Sequence, residues 1–77
     1  MKILYTYDGA RNSVVEHAVL EDLGARFGAV SQVASCSGED GMTTVTLEGP
    51  DDQSIVEALR QRPEVVEAAR ESFGEGV

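Results

Sequence analysis

The chain has one cysteine, one histidine, one asparagine, one lysine, two prolines and no tryptophan, and each scarcity excludes something. With Cys36 alone, no intrachain disulfide can form, and no Cys-x-x-Cys pair exists to hold copper or zinc. Cys36 is followed by Ser37, Gly38 and two acids, so nothing beside it supplies the positive charge that activates a thiol; an inert cysteine is expected. His17 has no partnered nucleophile in its neighbourhood and lies off the apolar face of its segment, which suits a half-exposed helical residue better than a catalytic base. No apolar run approaches the roughly 18–20 residues needed to cross a membrane. Met1-Lys2-Ile3-Leu4-Tyr5 leads straight into a strand rather than a signal peptide, so a cytoplasmic protein is expected.

Positive charge is equally scarce. Six Lys and Arg stand against fourteen Asp and Glu, a net charge of −8 with a pI near 4.3. Phosphate backbones and anionic bilayers need clustered basic residues, so neither nucleic acid nor membrane is an expected partner. An acid-rich surface with Lys2 as its only lysine fits a salt-rich cytosol of halophilic type, where self-repulsion is screened. An acidic mesophilic protein from a GC-rich genome has the same composition. Seventy-seven residues make one small domain, and only two Tyr and two Phe contribute large rings, so aliphatic side chains must fill the core. A domain this small gains burial by pairing, and a homodimer is expected.

What is present is a clear succession of elements. Residues 3–7 are β-branched, aromatic and alternating, a strand. Asp8-Gly9-Ala10-Arg11-Asn12 turns the chain into a helix capped by Asn12 or Ser13, with Glu16 placed to close a capping box opened by Ser13. Val15, Val19, Leu23 and Phe27 recur at every fourth position, while Glu16, Glu21, Asp22 and Arg26 are read on the opposite side. The helix end is expected between Gly24 and Gly28. Residues 29–37 form a second strand whose serines indicate an edge or a solvent-facing surface, and Gly38-Glu39-Asp40-Gly41 is a hairpin turn with two glycines for positive φ. Residues 42–48 alternate cleanly, with Thr43, Val45 and Leu47 on one face and Met42, Thr44 and Thr46 on the other. Gly49-Pro50 ends that strand, Asp51 or Asp52 caps a second helix carrying Ile55, Val56, Ala58 and Leu59, and Pro63 stops it. Residues 65–73 have helical propensity, but a fourth strand beside the first covers an otherwise open edge, and context selects the strand. Residues 74–77 read as a frayed tail, leaving a single domain over residues 1–73.

The order strand, helix, strand, strand, helix, strand specifies an α+β, ferredoxin-like βαββαβ sandwich, an antiparallel four-stranded sheet with two helices on one face. That fold hosts many functions, so function must come from a site. Glu39-Asp40 and Asp51-Asp52 lack the alternating spacing of a calcium loop, no glycine-rich phosphate cradle follows a strand, and neither metal nor cofactor is expected. Acylphosphatase-type catalysis on this fold needs an Arg in the first loop and an Asn on the hairpin strands; Arg11 answers the first, and the only asparagine, Asn12, is in that same loop. No enzymatic activity is expected. The loop itself, Asp8, Gly9, Ala10, Arg11 and Asn12, is the candidate ligand site: Gly9 lets a ligand approach the backbone, Asp8 can accept from an ammonium, and Arg11 or the helix end can receive a carboxylate.

At this turn the chain resembles two families of small regulatory domains. Asp8-Gly9-Ala10-Arg11 after the first strand is similar to the turn of ACT-like βαββαβ amino-acid sensors, which bind effectors at dimer interfaces. Leu4-Tyr5-Thr6-Tyr7-Asp8-Gly9, Val14-Val15 and Gly41-Met42-Thr43-Thr44-Val45-Thr46-Leu47-Glu48-Gly49-Pro50-Asp51 look like the corresponding parts of the NIL domain, a regulatory module of methionine importers. The resemblance spans about residues 3–70. It implies a non-catalytic module sensing a small molecule, such as an amino acid, at a dimer interface near Asp8, Gly9, Ala10, Arg11 and Asn12, working alone or within a larger protein complex. A second expectation has the same module binding protein rather than ligand, through the sheet face bearing Met42, Thr44 and Thr46 or through an edge strand.

Overall fold

The computed structural model describes residues 1–71 and contains the six elements in the expected order: β1 (Lys2–Asp8), α1 (Ser13–Phe27), β2 (Ser31–Ser37), β3 (Met42–Glu48), α2 (Gln53–Arg60) and β4 (Val65–Arg70). The strands form one sheet in the order β2-β3-β1-β4, every neighbouring pair antiparallel. This is the ferredoxin-like arrangement. The two sequence-adjacent strands of the hairpin lie to one side, β1 is central, and β4 returns along its free edge.

Alternation decides which side chains meet the helices. Ile3, Tyr5 and Tyr7 of β1 and Thr43, Val45 and Leu47 of β3 are buried on the helix side, where Val19 and Leu23 of α1 and Ile55, Val56, Ala58 and Leu59 of α2 close the core. Val15, Leu20 and Phe27 pack against its rim, so the four-residue ladder of the first helix holds along its length. Val65 and Ala68 complete the layer from β4. Arg60 donates from Nε to the Ala68 carbonyl at 3.0 Å, and Arg62 bridges Asp22 at 3.0 Å while gripping Glu64 through two N–H groups at 3.1 and 3.2 Å. These contacts tie the end of α2 to both β4 and α1.

Several expectations are adjusted. The second strand begins at Ser31 rather than Ala29, after Gly28 closes α1 by donating its N–H to the Gly24 carbonyl at 3.0 Å. The fourth strand ends at Arg70; Phe73 and the tail 74–77 lie outside the described residues. In the hairpin turn only Gly41 takes a positive φ, +81°, and Asp40 Oδ1 accepts from the Met42 N–H at 3.1 Å in place of a second glycine's contribution. Asn12 alone caps α1, and Asp52 caps α2 by accepting from the Ser54 N–H at 2.9 Å. No capping box forms with Ser13, because Glu16 is turned into the protein.

Both outer strands carry an irregularity. Between Gln32 and Ala34 the register of β2 on β3 shifts by one, and Val33 is the extra residue; between Glu67 and Val65 the same happens on β4, with Val66 extra. Val33 and Val66 are 53% and 57% exposed. A bulge bends an edge and interrupts its ladder, which discourages the addition of another strand.

Candidate functional site

The turn between β1 and α1 is built mainly from its own backbone. Gly9, at φ +99°, donates its N–H to the Gly41 carbonyl at 2.8 Å and accepts from Thr43 Oγ1 at 2.8 Å, which fastens the turn to the β2–β3 hairpin. Asn12 donates its N–H to the Tyr7 hydroxyl at 2.7 Å, and its Oδ1 accepts from the N–H groups of Val14 and Val15 at 3.0 and 3.3 Å. The Glu16 N–H reaches the Asn12 carbonyl at 3.1 Å. Of the helix-end donors foreseen as receivers of a ligand carboxylate, the N–H groups of Val14, Val15 and Glu16 are therefore already paired. Asp8, Ala10 and Arg11 are exposed around this turn, and Arg11 lies close enough to Glu16 to favour its ionised form.

Beneath the turn lies a cluster that local pattern reading misplaced. Glu16, assigned above to the solvent side of the helix, is 7% exposed. Its Oε2 accepts from Tyr7 Oη at 2.5 Å and Ser35 Oγ at 2.8 Å, and its Oε1 from Gln32 Nε2 at 2.9 Å. The β2 serines, expected at an edge or on a solvent-facing surface, do lie on an edge strand and divide between its two faces. Ser35, with Gln32, faces the helix layer, and Ser37 Oγ lies 3.3 Å from Thr43 Oγ1, while Ser31 is exposed. Because Val33 is an extra residue, Gln32 and Ser35 share one face although three positions apart. A signal for this was present. Glu16 precedes Val19 by three and Leu23 by seven, which puts it on the buried stripe of the helix.

The electrostatics follow from the contacts. Burial pushes the Glu16 carboxyl up, but the hydrogen bonds from Tyr7, Ser35 and Gln32 favour the anion and together hold it below the usual glutamate range. Burial, then donation to Glu16, raises Tyr7. Tyr5, two residues earlier on the same face, is raised far above the ordinary tyrosine value by burial and by the neighbouring Glu16 charge, and its hydroxyl has no hydrogen-bond partner among the described residues. A carboxylate with three donors in place is a clamp joining α1 to β1 and β2. His17 sits outside it, on the exposed face of α1, with Nε2 3.1 Å from Glu21. Among the described residues no group of three or more His, Cys, Asp or Glu could hold a metal ion, and no helix is long and apolar enough to cross a membrane.

The other surface of interest is the sheet face away from the helices. The register places Leu4 beside Thr46 and Ala69, Thr6 beside Thr44 and Glu67, and Ala34 and Cys36 beside Thr46 and Thr44. Met42 lies opposite Asp8 at one end, and Lys2 opposite Glu48 at the other. The Thr6 and Thr44 hydroxyls are 3.4 Å apart. A shallow groove of about 280 Å³ runs along β1 and β4 here, walled by Leu4, Thr6, Thr44, Glu67, Ala68 and Ala69. The middle of this face has Leu4 among small and β-branched side chains, with Glu67 its single charge away from the strand ends among the described residues.

Compared with known proteins, the chain matches no family model, no curated protein and no solved structure. The likeness to ACT-like and NIL domains rests on the residues quoted for it.

Proposed function

We propose that the domain is a non-catalytic protein-interaction module whose working surface is the open face of the sheet. The observation that carries this reading is the distribution of charge. A quarter of the chain is Asp, Glu, Lys or Arg, yet of the residues spanning the middle of that face, Leu4, Thr6, Ala34, Cys36, Thr44, Thr46, Glu67 and Ala69, only Glu67, on the edge strand β4, is charged. Loss of charge at the centre and its retention at the rim is how protein interfaces differ from the remaining surface. Met42, Thr44 and Thr46, the residues expected at an interface, lie on this face. The turn at residues 8–12 supports a sensor less well, since the N–H groups of Gly9, Val14, Val15 and Glu16 are occupied by the protein itself.

The test is thermal unfolding with each of the twenty amino acids at millimolar concentration, alongside Thr44→Lys without ligand. A true effector at about 100 times its Kd adds roughly 2.7 kcal/mol. The interaction reading predicts no shift with any amino acid, and a Thr44→Lys midpoint within a few degrees of the parent at low protein concentration, because the open face serves binding rather than folding. A shift that Asp8→Ala or Arg11→Ala removes would overturn it in favour of an amino-acid sensor. A large loss of stability in Thr44→Lys would assign the face to folding instead.

A further inference from the structure

We infer that the partner of this face is a second copy of the chain, held in a weak, two-fold, face-to-face dimer that salt strengthens. The inference rests on the interaction reading above and names its partner. Its first support is charge. A basic partner would find its complement almost anywhere on a chain of net charge −8 except here, where Glu67 is the only acid away from the strand ends. The face asks for an occupant that is itself nearly free of charge at its centre, and the same face on another copy, with Glu67 set toward the β4 edge, meets that requirement.

Hydroxyl chemistry is the second support. Across a two-fold axis identical side-chain sets confront one another, so the polar groups there must be able to donate and accept. Threonine does both, whereas lysine only donates and an ionised carboxylate only accepts. Thr6, Thr44 and Thr46 supply such groups in the middle of the face, interleaved with Leu4, Ala34 and Ala69 for apolar contact. The edges are poor competing routes to self-association, since both outer strands are bulged, at Val33 and Val66.

Size sets the strength. Four strands about 4.8 Å apart, with residues rising about 3.3 Å each, give a footprint on the order of 300–400 Å² per copy. The pair then buries roughly 600–800 Å² in total, below the ~1,200 Å² at which stable specific interfaces begin. Two copies each carrying a net charge of −8 also repel until salt screens them. The dimer is therefore concentration-dependent and tighter in molar salt than in dilute buffer.

Cys36 reports on this without any label. It is the only cysteine and is exposed, and it lies on this face beside Thr44. The experiment is sedimentation equilibrium from micromolar to millimolar chain in low and molar salt, with the rate of Cys36 alkylation followed over the same series. The expected result is a mass rising from 8.2 kDa toward twice that value, further in high salt, with alkylation slowing in parallel. Thr44→Arg should remain at the single-chain mass with rapid alkylation throughout and an unchanged thermal midpoint at low concentration. A single-chain mass and a constant alkylation rate at every concentration would overturn self-pairing, leaving the interaction reading to its own amino-acid and stability test. Dimers in which Cys36 stays fully reactive, or which survive Thr44→Arg, would also overturn it by locating the contact elsewhere.

Discussion

Tyr5 and Tyr7 occupy alternate positions of one strand, both rings are buried among the same helices, and removing their hydroxyls should have opposite consequences. The Tyr7 hydroxyl donates to Glu16 at 2.5 Å and accepts from the Asn12 N–H at 2.7 Å. A hydrogen bond to a charged group contributes about 1.5–3 kcal/mol, and a donor left unpaired adds about 1 kcal/mol more. Tyr7→Phe should therefore destabilise by roughly 2.5–4 kcal/mol, most of the ~3–5 kcal/mol that a core of this size supplies. The Tyr5 hydroxyl is buried and has no partner among the described residues, so none of them compensates its desolvation. Tyr5→Phe keeps the ring and relieves that penalty; the expected change lies between zero and a gain of about 1 kcal/mol. Urea titration reads both, as movement of the midpoint at unchanged slope. Thermal midpoints should move in the same opposite senses, by about 4–8 °C per kcal/mol for a domain of this length. A Tyr5→Phe variant less stable than the parent by more than about 1 kcal/mol, or a Tyr7→Phe variant indistinguishable from it, would refute the reasoning.

Asn12→Ala removes the only side-chain cap of α1 and should cost about 0.5–2 kcal/mol in the same titration, with Asn12→Asp close to the parent. Acid should unfold the protein partly through Glu16. Its folded carboxyl is held below the unfolded glutamate value of about 4.3, so its contribution is complete above that value and is lost as pH falls toward the folded one. Glu64, held low first by a backbone N–H and then by Arg62, acts in the same direction. Glu16→Gln should lower stability at neutral pH and make the acid limb shallower than the parent's. Leu23→Ala, at a site with no exposure, should cost about 2–5 kcal/mol and leave little folded protein by circular dichroism at room temperature.

Much of this architecture could be read from local signals because the relevant contacts repeat along the chain. The alternation of Thr43, Val45 and Leu47 and the four-residue recurrence of Val15, Val19, Leu23 and Phe27 identify their elements without reference to anything distant. The fourth strand was accessible only through topology. Ala68 is buried because it pairs with Tyr5, sixty-three positions earlier, and its own neighbours Glu67 and Ala69 favour a helix. The Glu16 cluster escaped for a related reason. A glutamate in the first turns of a helix is ordinarily solvated, and the Gln32 and Ser35 that receive it are sixteen and nineteen residues away on a strand whose register slips at Val33. Nothing in the local chemistry of Val33 or Val66 announces a bulge, since that geometry is set by the neighbouring strand. The open face was half legible: alternation grouped Met42, Thr44 and Thr46, and only the assembled sheet adds Leu4, Thr6, Ala34, Cys36 and Ala69 to them.

The central claim is that the domain works through that face and not through the β1–α1 turn. Amide chemical shifts of isotopically labelled chain, followed on dilution from millimolar to micromolar in molar salt, test it most directly. The account predicts movement concentrated at Leu4, Thr6, Ala34, Thr44, Thr46 and Ala69, with α2 and the Asp8 to Asn12 turn unchanged. Shifts confined to the turn or to the helix side, with the sheet face silent, would contradict it.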